Sequence, residues 1–225
     1  MKYFLLAVIS LFFCDLSAQI TTRYTFGTVY FLNGDVYDCQ IGFPLLNRSN
    51  KLGPTLRSKN KLVVKSLGGD KEKIDNEEID YIIFEGDQGQ FILKWTQGYT
   101  VRGRKYDKKK LQKHKSWFLV EGGCEDIISF AWADKFELNK KGQIYANYIG
   151  SHGFYGSYSL MKKDEEFPTL ICSMTEGSGI GFKKMRKKVF EFYFKGDSHA
   201  EQFLEGKKKL TVEEIMNYVK SRCGN

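Results

Sequence analysis

Apolar and polar residues alternate along much of this chain with a period of two, which predicts β-strands. The clearest case is the pair of segments Phe26 to Leu32 and Val36 to Phe43, both rich in aromatic and β-branched residues. Between them stands Asn33-Gly34-Asp35, a turn sequence in which asparagine and glycine tolerate a positive φ. We therefore predict that the two segments form a β-hairpin.

Similar segments recur further along the chain, and we predict that they are also strands. They are Leu62 to Lys65, Ile79 to Phe84, Gln90 to Trp95, Trp117 to Val120, Ile127 to Trp132, Gln143 to Tyr148, Tyr155 to Met161 and Thr169 to Cys172. The turn sequences Gly86-Asp87-Gln88-Gly89 and Asn139-Lys140-Lys141-Gly142 are each expected to close a hairpin. Short strands separated by such turns predict a mainly antiparallel sheet, arranged as a sandwich or a partly closed barrel.

From Gly181 the hydrophobic period changes to that of an α-helix. Apolar residues recur at i, i+3, i+7 and i+10, at Phe182, Met185, Val189 and Phe192. The intervening positions, which we assign to the polar face, are Lys183, Lys184, Arg186, Lys187 and Lys188. Gly196 interrupts this pattern, so the first helix is expected to end before it.

Two more short helices are predicted after Gly196. Asp197 or Ser198 can cap a helix that runs to about Leu204, where Gly206 ends it. Thr211 and Glu214 form a capping box that opens the last helix. Its apolar face is the row Val212, Ile215, Met216, Val219 and Cys223. The fold class is therefore α+β, with a β-rich domain at residues 19–176 and a C-terminal helical segment at 177–225 that packs on the sheet.

The first residues of the chain predict the cellular location of the protein. Lys2 precedes an apolar run from Tyr3 to Cys14, and Ser17-Ala18 supplies a small-residue end, as in a secretory signal peptide. The run is shorter than the roughly 20 residues that a membrane-spanning helix needs. Lipidation of Cys14 is the rival interpretation, disfavoured because the bulky Phe12-Phe13 precedes it. We expect cleavage near Ala18, no transmembrane segment afterwards, and a secreted or periplasmic protein.

Four cysteines follow the predicted cleavage site: Cys39, Cys124, Cys172 and Cys223. In an oxidising compartment they permit two disulfides, with three connectivities that the sequence does not distinguish. The alternative is that Cys39 and Cys223, which share strand and helix faces with apolar residues, are small buried hydrophobes. The spacings contain no C-x-x-C element, which argues against a zinc knuckle or a thioredoxin-type pair.

The strongest binding signal is the basic segment Arg102 to Lys115, in which eight bases and one acid occupy fourteen residues. The candidate anion-binding residues are Arg102, Arg104, Lys105, Lys108, Lys109, Lys110, Lys113 and Lys115. Lys183 to Lys188 and Lys207 to Lys209 add two further basic clusters, and the whole chain has a formal net charge of +8. If these segments meet in space, they form a surface that attracts anionic polymers by counterion release. A solvated loop that keeps the protein soluble is the simpler interpretation of the charge.

Partners are constrained by the predicted compartment. Anionic polysaccharide, lipopolysaccharide or another envelope protein are the candidates, whereas nucleic acid is disfavoured because no recognition motif accompanies the charge. Gly150 to Tyr158, with three aromatic rings among glycines, is a second candidate surface that could stack on sugars. Ordinary packing of those rings in a sheet is the favoured alternative.

A resemblance rests on a few short motifs. They are a leader ending in Ala-Gln, an opening hairpin of the form Gly27-x-Val29-x-x-x-Asn33-Gly34-Asp35, and a close of Gly181-Phe182-Lys183-Lys184 to Phe194 and then Thr211-x-x-Glu214-Ile215. On these motifs the chain resembles secreted β-rich proteins of unknown function from Gram-negative bacteria. The resemblance implies an envelope or extracellular location and a single-domain layout, and it implies no activity. The basic segment Arg102 to Lys115 departs from that pattern.

The sequence supplies no catalytic motif and calls for no cofactor or metal. His114, His152 and His199 lie far apart and none belongs to an H-E-x-x-H pair. The loop around Ser178 lacks both the P-loop ending and the G-x-S-x-G spacing. A non-catalytic binding protein is therefore favoured. The alternative is a small secreted hydrolase that acts on envelope glycans through an unrecognised carboxylate pair. The acidic groups of the chain are Asp70, Asp75, Glu77, Glu78 and Asp80, then Glu125-Asp126, and then Asp164-Glu165-Glu166, and solvated loop carboxylates are the favoured explanation of all of them.

Overall fold

The computed structural model describes residues 22–47, 61–86, 89–103, 105–147, 157–173 and 182–224. This part of the chain is mainly β-strand, as predicted. In chain order the strands are β1 Arg23–Phe31, β2 Val36–Phe43, β3 Leu45–Leu46, β4 Lys61–Lys65, β5 Lys71–Asp75, β6 Ile79–Gly86, β7 Gly89–Thr96, β8 Tyr99–Arg102, β9 Lys108–Leu111, β10 Ser116–Cys124, β11 Ile127–Trp132, β12 Lys135–Leu138, β13 Ile144–Asn147, β14 Ser157–Lys162 and β15 Thr169–Ser173. A 3₁₀-helix covers Asn76–Glu78, and the α-helices are α1 Phe182–Tyr193, α2 Ser198–Leu204 and α3 Val212–Arg222.

Most of the strands belong to one large sheet in the order β5-β4-β2-β1-β6-β7-β10-β11-β14-β15-β8-β9. Neighbouring strands run antiparallel except at the β15–β8 pair, which is parallel. A second, small sheet has the order β13-β12-β3. The predicted α+β class with mainly antiparallel sheet is confirmed, and within the described residues the large sheet is not closed into a barrel. Its outer strands are β5 and β9.

The predicted hairpin at Asn33-Gly34 joins β1 to β2. Gly34 adopts φ 91°, and its amide donates to the Phe31 carbonyl at 3.0 Å. The Asn33 side chain accepts from the Asp35 amide at 2.9 Å. A residue with a Cβ is disfavoured at that φ, so the glycine is needed to reverse the chain here.

The first hydrophobic core lies between the β1–β10 side of the large sheet and the small sheet. Val29, Ile41, Leu62, Leu93 and Trp117 are buried on the large sheet, and their counterparts on the small sheet are Leu45, Phe136, Leu138 and Ile144. On β4 and β12 the buried residues alternate with more exposed ones, so these strands bury one face, whereas β10 is buried on both faces from Ser116 to Leu119. The small sheet thus packs on this side of the large sheet.

The second core lies between the other half of the large sheet and the helices. Strand residues Ile127, Tyr158, Leu160 and Ile171 contact a helical cluster made of Val189, Phe190, Tyr193, Phe194, Ile215, Tyr218 and Val219. Ile127 of this core and Ala131 of the first core are an even number of residues apart on β11, so both cores lie on the same face of the sheet. The predicted packing of helices on strands is seen here.

Helix α1 buries a different stripe from the one that the sequence predicts. Its buried positions are Arg186, Val189, Phe190 and Tyr193, so Arg186, which we assigned to the polar face, is only 6% exposed. The rings explain the rotation: the Phe190 and Phe194 centroids are 4.5 Å apart, and the Phe190 and Tyr218 centroids are 5.2 Å apart. Burying this aromatic cluster turns Arg186 inward.

The caps of the last two helices follow the prediction. Asp197 accepts from the Ala200 amide at 3.1 Å and so caps α2. Thr211 and Glu214 form the predicted capping box of α3, in which the Thr211 amide donates to Glu214 at 2.8 Å. Both caps satisfy amides that would otherwise lack partners at a helix start. None of the helices in the described residues has the length and apolarity that crossing a membrane requires.

The short link between β7 and β8 forces the large sheet to curl. Only Gln97 and Gly98 separate these strands in the chain, yet they lie five places apart in the sheet, or about 24 Å in a flat sheet at about 4.8 Å per strand. Two linking residues span only about 10 Å. The gap closes because β10, β11, β14 and β15 curl around Phe118 and Phe130, whose ring centroids are 6.3 Å apart. The curl brings the β8–β9 hairpin back beside the end of β7.

One disulfide joins Cys124 at the end of β10 to Cys223 just after α3, with a Cα–Cα distance of 5.3 Å. The sequence left this pairing open, and the alternative that Cys223 is only a buried hydrophobe is wrong. Cys39 and Cys172 are free and buried. Burial raises the pKa of the Cys39 thiol to about 11 and that of the Cys172 thiol to about 12. Neither is a thiolate at neutral pH.

The side chain of Asn47 links the small sheet to the large one through hydrogen bonds. Its side-chain amide donates to the carbonyls of Trp117 at 2.8 Å and Ala133 at 2.7 Å, and its oxygen accepts from the Trp117 amide at 2.6 Å. Only 2% of the residue is exposed. The Asn-x-Ser sequence that begins at Asn47 is therefore not a glycosylation site in the folded protein.

Candidate anion-binding surface

The basic segment Arg102 to Lys115 folds mainly as the β8–β9 hairpin at one edge of the large sheet. Its antiparallel register places Arg102 opposite Lys108 and Thr100 opposite Lys110. Gly103 begins the turn at φ 112°, and a side chain there would collide with the Asp107 carboxylate. The glycine therefore allows the tight reversal that brings Arg102 and Lys108 face to face.

Strand alternation divides the lysines of β9 between two faces. Lys108 and Lys110 lie on the same face as Arg102, and all three side chains are exposed. Among the described residues, none of the three has a carboxylate within 4.0 Å. This set, which we call the hairpin face, presents three like charges to solvent.

Lys109 points the other way, toward helix α1. Its ammonium forms an ion pair with Glu165 and lies 4.9 Å from the centroid of the Tyr193 ring. Tyr193 donates to Glu165 at 2.5 Å, and Lys162 donates to the Tyr193 carbonyl at 2.8 Å. Burial raises the pKa of the Tyr193 hydroxyl well above its usual range, and the bond to Glu165 adds to the effect. This cluster anchors the hairpin, so the hairpin face is held against a rigid support.

The other predicted residues of the segment are placed as follows. Lys105 and Lys113 are exposed, and Lys115 forms an ion pair with Glu77 at 3.0 Å. Arg104 lies outside the described residues. The sequence therefore located the basic surface, but Lys109 and Lys115 are occupied by acids distant in sequence. Glu165 and Tyr193 position the hairpin, and no pattern in the sequence distinguishes them from other residues of the same type.

The other two basic clusters, one at the start of α1 and one in the loop between α2 and α3, lie close to each other and away from the hairpin. The Leu210 amide donates to the Lys183 carbonyl at 3.1 Å, which brings Lys207 to Lys209 beside the start of α1. Tyr193, which contacts Lys109, is about 15 Å further along the same helix, at 1.5 Å per residue. Lys187 and Lys207 are paired with Glu191 and Glu214. Helix α1 therefore contacts the β8–β9 hairpin near one end and the loop of Lys207 to Lys209 near the other.

The acids that the hydrolase hypothesis would use have other roles. Asp75 caps the 3₁₀-helix by accepting from the Glu77 amide at 3.0 Å. Four of the other nine acids in these groups pair with lysines: Asp80 with Lys94, Glu77 with Lys115, Glu125 with Lys163 and Glu165 with Lys109. In the part of the chain that the structure describes, no group of three or more His, Cys, Asp or Glu side chains is arranged to hold a metal ion.

The aromatic segment Gly150 to Tyr158 lies mostly outside the described residues. Its last ring, Tyr158, is buried in the second core with 3% of its surface exposed. That ring is therefore used for packing and is not available to stack on a sugar. The loop around Ser178 and the leader, residues 1–18, also lie outside the described residues.

The fold and surface together define a mainly antiparallel α+β protein with a basic hairpin at one sheet edge. The chain matches no protein-family model, no curated protein and no solved structure. Its function must therefore be argued from its own geometry.

Proposed function

We propose that this protein is a non-catalytic, secreted or periplasmic binding module that recognises anionic polymers through the hairpin face of Arg102, Lys108 and Lys110. The observation that carries the proposal is the cross-strand pair of Arg102 and Lys108. Like charges directly opposite each other destabilise a hairpin, and no acid among the described residues relieves this pair. An anionic group bound between them would relieve the repulsion.

The location is supported by two independent features. One is the predicted signal peptide at residues 1–18. The other is the Cys124–Cys223 disulfide, since such bonds persist in oxidising compartments and are rare where thiols are kept reduced. A secreted or periplasmic protein meets polysaccharides and lipopolysaccharide rather than intracellular nucleic acid.

The shape of the surface favours a polymer over a small anion. The hairpin face is an exposed strand edge, and the further bases Lys105 and Lys113 flank it. A row of bases on an open surface binds a polyanion through many weak contacts and the release of its counterions. Anionic polysaccharide or lipopolysaccharide is therefore the proposed ligand class, and an acidic face of another envelope protein is the second.

A salt titration tests this proposal. Binding to heparin and to lipopolysaccharide is measured for the native protein and for the triple variant Arg102→Ala/Lys108→Ala/Lys110→Ala. The matched control is Lys71→Ala/Lys140→Ala/Lys141→Ala, which removes three exposed charges elsewhere. We expect the hairpin variant to lower the slope of log K against log salt by about 2 to 2.7, at about 0.7 to 0.9 for each of the three lost contacts.

The control variant should keep the native slope with both polymers. Equal losses in the two variants would assign the binding to net charge alone and overturn the proposal. Binding to heparin without binding to lipopolysaccharide would restrict the ligand class to polysaccharide chains.

A further inference from the structure

A cleft opens where the large sheet splays near its other edge, far in the sheet order from the hairpin face. The ladder between β2 and β4 ends at the pair Ile41 and Val64, after which the two strands separate. The cleft between them has a volume of about 330 Å³. That volume lies at the lower end of the range for small-molecule sites.

The floor and the rim of this cleft differ in character. Leu45, Leu62 and Trp117 line it and are almost completely buried, so the floor is apolar. Lys61 and Lys73 also line it but are exposed, so their charges stand at the rim. In the described residues neither lysine has a carboxylate within 4.0 Å. The cleft thus offers an apolar interior beneath two cations.

Asn76 adds a specific polar group to the lining. It is the first residue of the 3₁₀-helix and is only 4% exposed, yet its Oδ1 has no hydrogen-bond partner among the residues that the structure describes. A buried acceptor without a partner is uncommon because it has lost its hydrogen bonds to water without replacing them. The neighbouring Asp75 carboxylate is occupied by the helix amide of Glu77. Asn76 therefore places a buried acceptor without a described partner in the lining of the cleft.

We propose that this cleft binds a small amphipathic anion that carries an N–H or O–H donor. Its apolar body lies against Leu62 and Trp117, its donor meets Asn76 Oδ1, and its anionic group lies near Lys61 and Lys73. Each part of the ligand thus complements one part of the lining. The site is separate from the hairpin face and does not depend on polymer binding.

Three probe molecules test the three parts on the native protein. Indole-3-acetate has an apolar ring, an N–H donor and a carboxylate; naphthalene-1-acetate lacks the donor, and indole-3-ethanol lacks the charge. Binding is followed in ¹⁵N-labelled protein through the indole N–H signal of Trp117, with Trp132 on the opposite sheet face as internal reference. We expect indole-3-acetate to shift the Trp117 signal saturably with a dissociation constant on the order of 1 mM, as its size allows.

Each of the other two probes should bind about five-fold or more weakly than indole-3-acetate, since each loses one polar contact. Asn76→Ala should remove the preference over naphthalene-1-acetate. Lys61→Met/Lys73→Met should remove the preference over indole-3-ethanol. Lys71→Met is the matched control, since Lys71 is on the same strand as Lys73 but outside the cleft. This variant should change neither of the two preferences.

No saturable shift of the Trp117 signal would overturn the proposal, as would equal affinity for all three probes. If Asn76→Ala does not fold, the comparison of probes on the native protein still decides the matter.

Discussion

The two edges of the large sheet are both charged, but they carry their charge differently. On β5 the signs are mixed: Asp75 stands opposite Lys61, and Lys71 stands opposite Lys65, whose ammonium lies 4.2 Å from the centroid of the Tyr24 ring. The residues of β9 itself include three lysines and no acid, and of these only Lys109 is paired, with Glu165 from outside the strand. Charges of either pattern discourage an exposed edge from pairing with another strand. Edge protection therefore explains β5 fully but does not explain why β9 has a single sign.

The edges also differ in how they are anchored. β5 is held by its ladder with β4 and by an exposed hydrogen bond of 3.2 Å from Tyr37 to Glu72. β9 is held in addition by Glu165 and Tyr193, in the half of the sheet that the disulfide ties to α3. A surface that binds a ligand benefits from such a support, because less conformational freedom is lost on binding. The single sign of charge and the rigid support therefore occur together on β9.

The disulfide gives the largest expected difference between the two halves. Cys124→Ala/Cys223→Ala opens a loop with a sequence separation of 99 residues, so the free energy of unfolding should fall by about 4 to 5 kcal/mol. This loss is measured by urea unfolding of the native protein and the variant, each with and without reductant. Cys39→Ala is the control, because that free cysteine lies in the other core and the variant should keep the native response to reductant. A native protein insensitive to reductant would contradict the prediction.

The anchor of β9 gives the next largest effect. Glu165→Ala leaves the Lys109 ammonium and the Tyr193 hydroxyl without their acceptor, and should lower the free energy of unfolding by about 2 to 3 kcal/mol. The matched control is Glu77→Ala, which removes the partner of Lys115. The Glu77 side chain is 50% exposed against 14% for Glu165, so its loss should cost at most about 1 kcal/mol. Equal losses in the two variants would show that Glu165 is not an anchor.

Much of the fold was predictable because local chemistry determined it. The Asn33-Gly34 hairpin and the Thr211–Glu214 capping box each depend on a few neighbouring residues, and both predictions are confirmed. The strands that the pattern missed include β5 and β9, whose residues are mostly charged. A hydrophobic pattern identifies strands that bury a face, and an edge strand need not do so.

The site was predictable only in part, for a related reason. The density of bases from Arg102 to Lys115 is a property of the sequence alone. Whether a given base faces solvent depends on partners distant in the chain, such as Glu165 for Lys109 and Glu77 for Lys115. Arg186 was misplaced in the same way, since an aromatic cluster formed with α3 decides which stripe of α1 is buried.

Acid should weaken the docking of α3, the helix that precedes Cys223 of the disulfide. Hydrogen bonds from Lys207 and from the Thr211 amide lower the pKa of Glu214 to about 2. Because the folded-state pKa lies below the unfolded value, this stability is present above about pH 4.5 and is lost as the pH falls toward about 2. Glu214→Gln should therefore cost about 1 to 2 kcal/mol at pH 7, a figure reduced for its 35% exposed side chain.

The measurement is the free energy of unfolding of Glu214→Gln and of the native protein from pH 7 to pH 2. The gap between them should close toward the acid end. Glu213→Gln is the control, since that exposed neighbour in the same helix turn should show a small gap at every pH. A gap for Glu214→Gln that does not change with pH would contradict the assignment.

The smallest expected effect on stability tests the comparison of the edges most directly. Lys108→Glu gives β9 a mixed pattern like that of β5, by placing an acid opposite Arg102. The free energy of unfolding should rise by a few tenths of a kcal/mol, because a repulsive cross-strand pair becomes attractive. Heparin binding should weaken at the same time. A variant that is less stable than the native protein would mean that Arg102 and Lys108 do not repel each other.

The reciprocal change, Glu72→Lys, gives β5 a run of three lysines from Lys71 to Lys73 and removes the hydrogen bond from Tyr37. It should lower stability by about 0.5 to 1 kcal/mol and leave the heparin affinity near the native value. If the variant instead bound heparin more tightly than the native protein, any row of lysines at a sheet edge would suffice. If it does not, the anchored geometry of the β8–β9 hairpin is what turns a basic edge into a binding surface, and stability given up at Arg102 and Lys108 is recovered when the polymer binds.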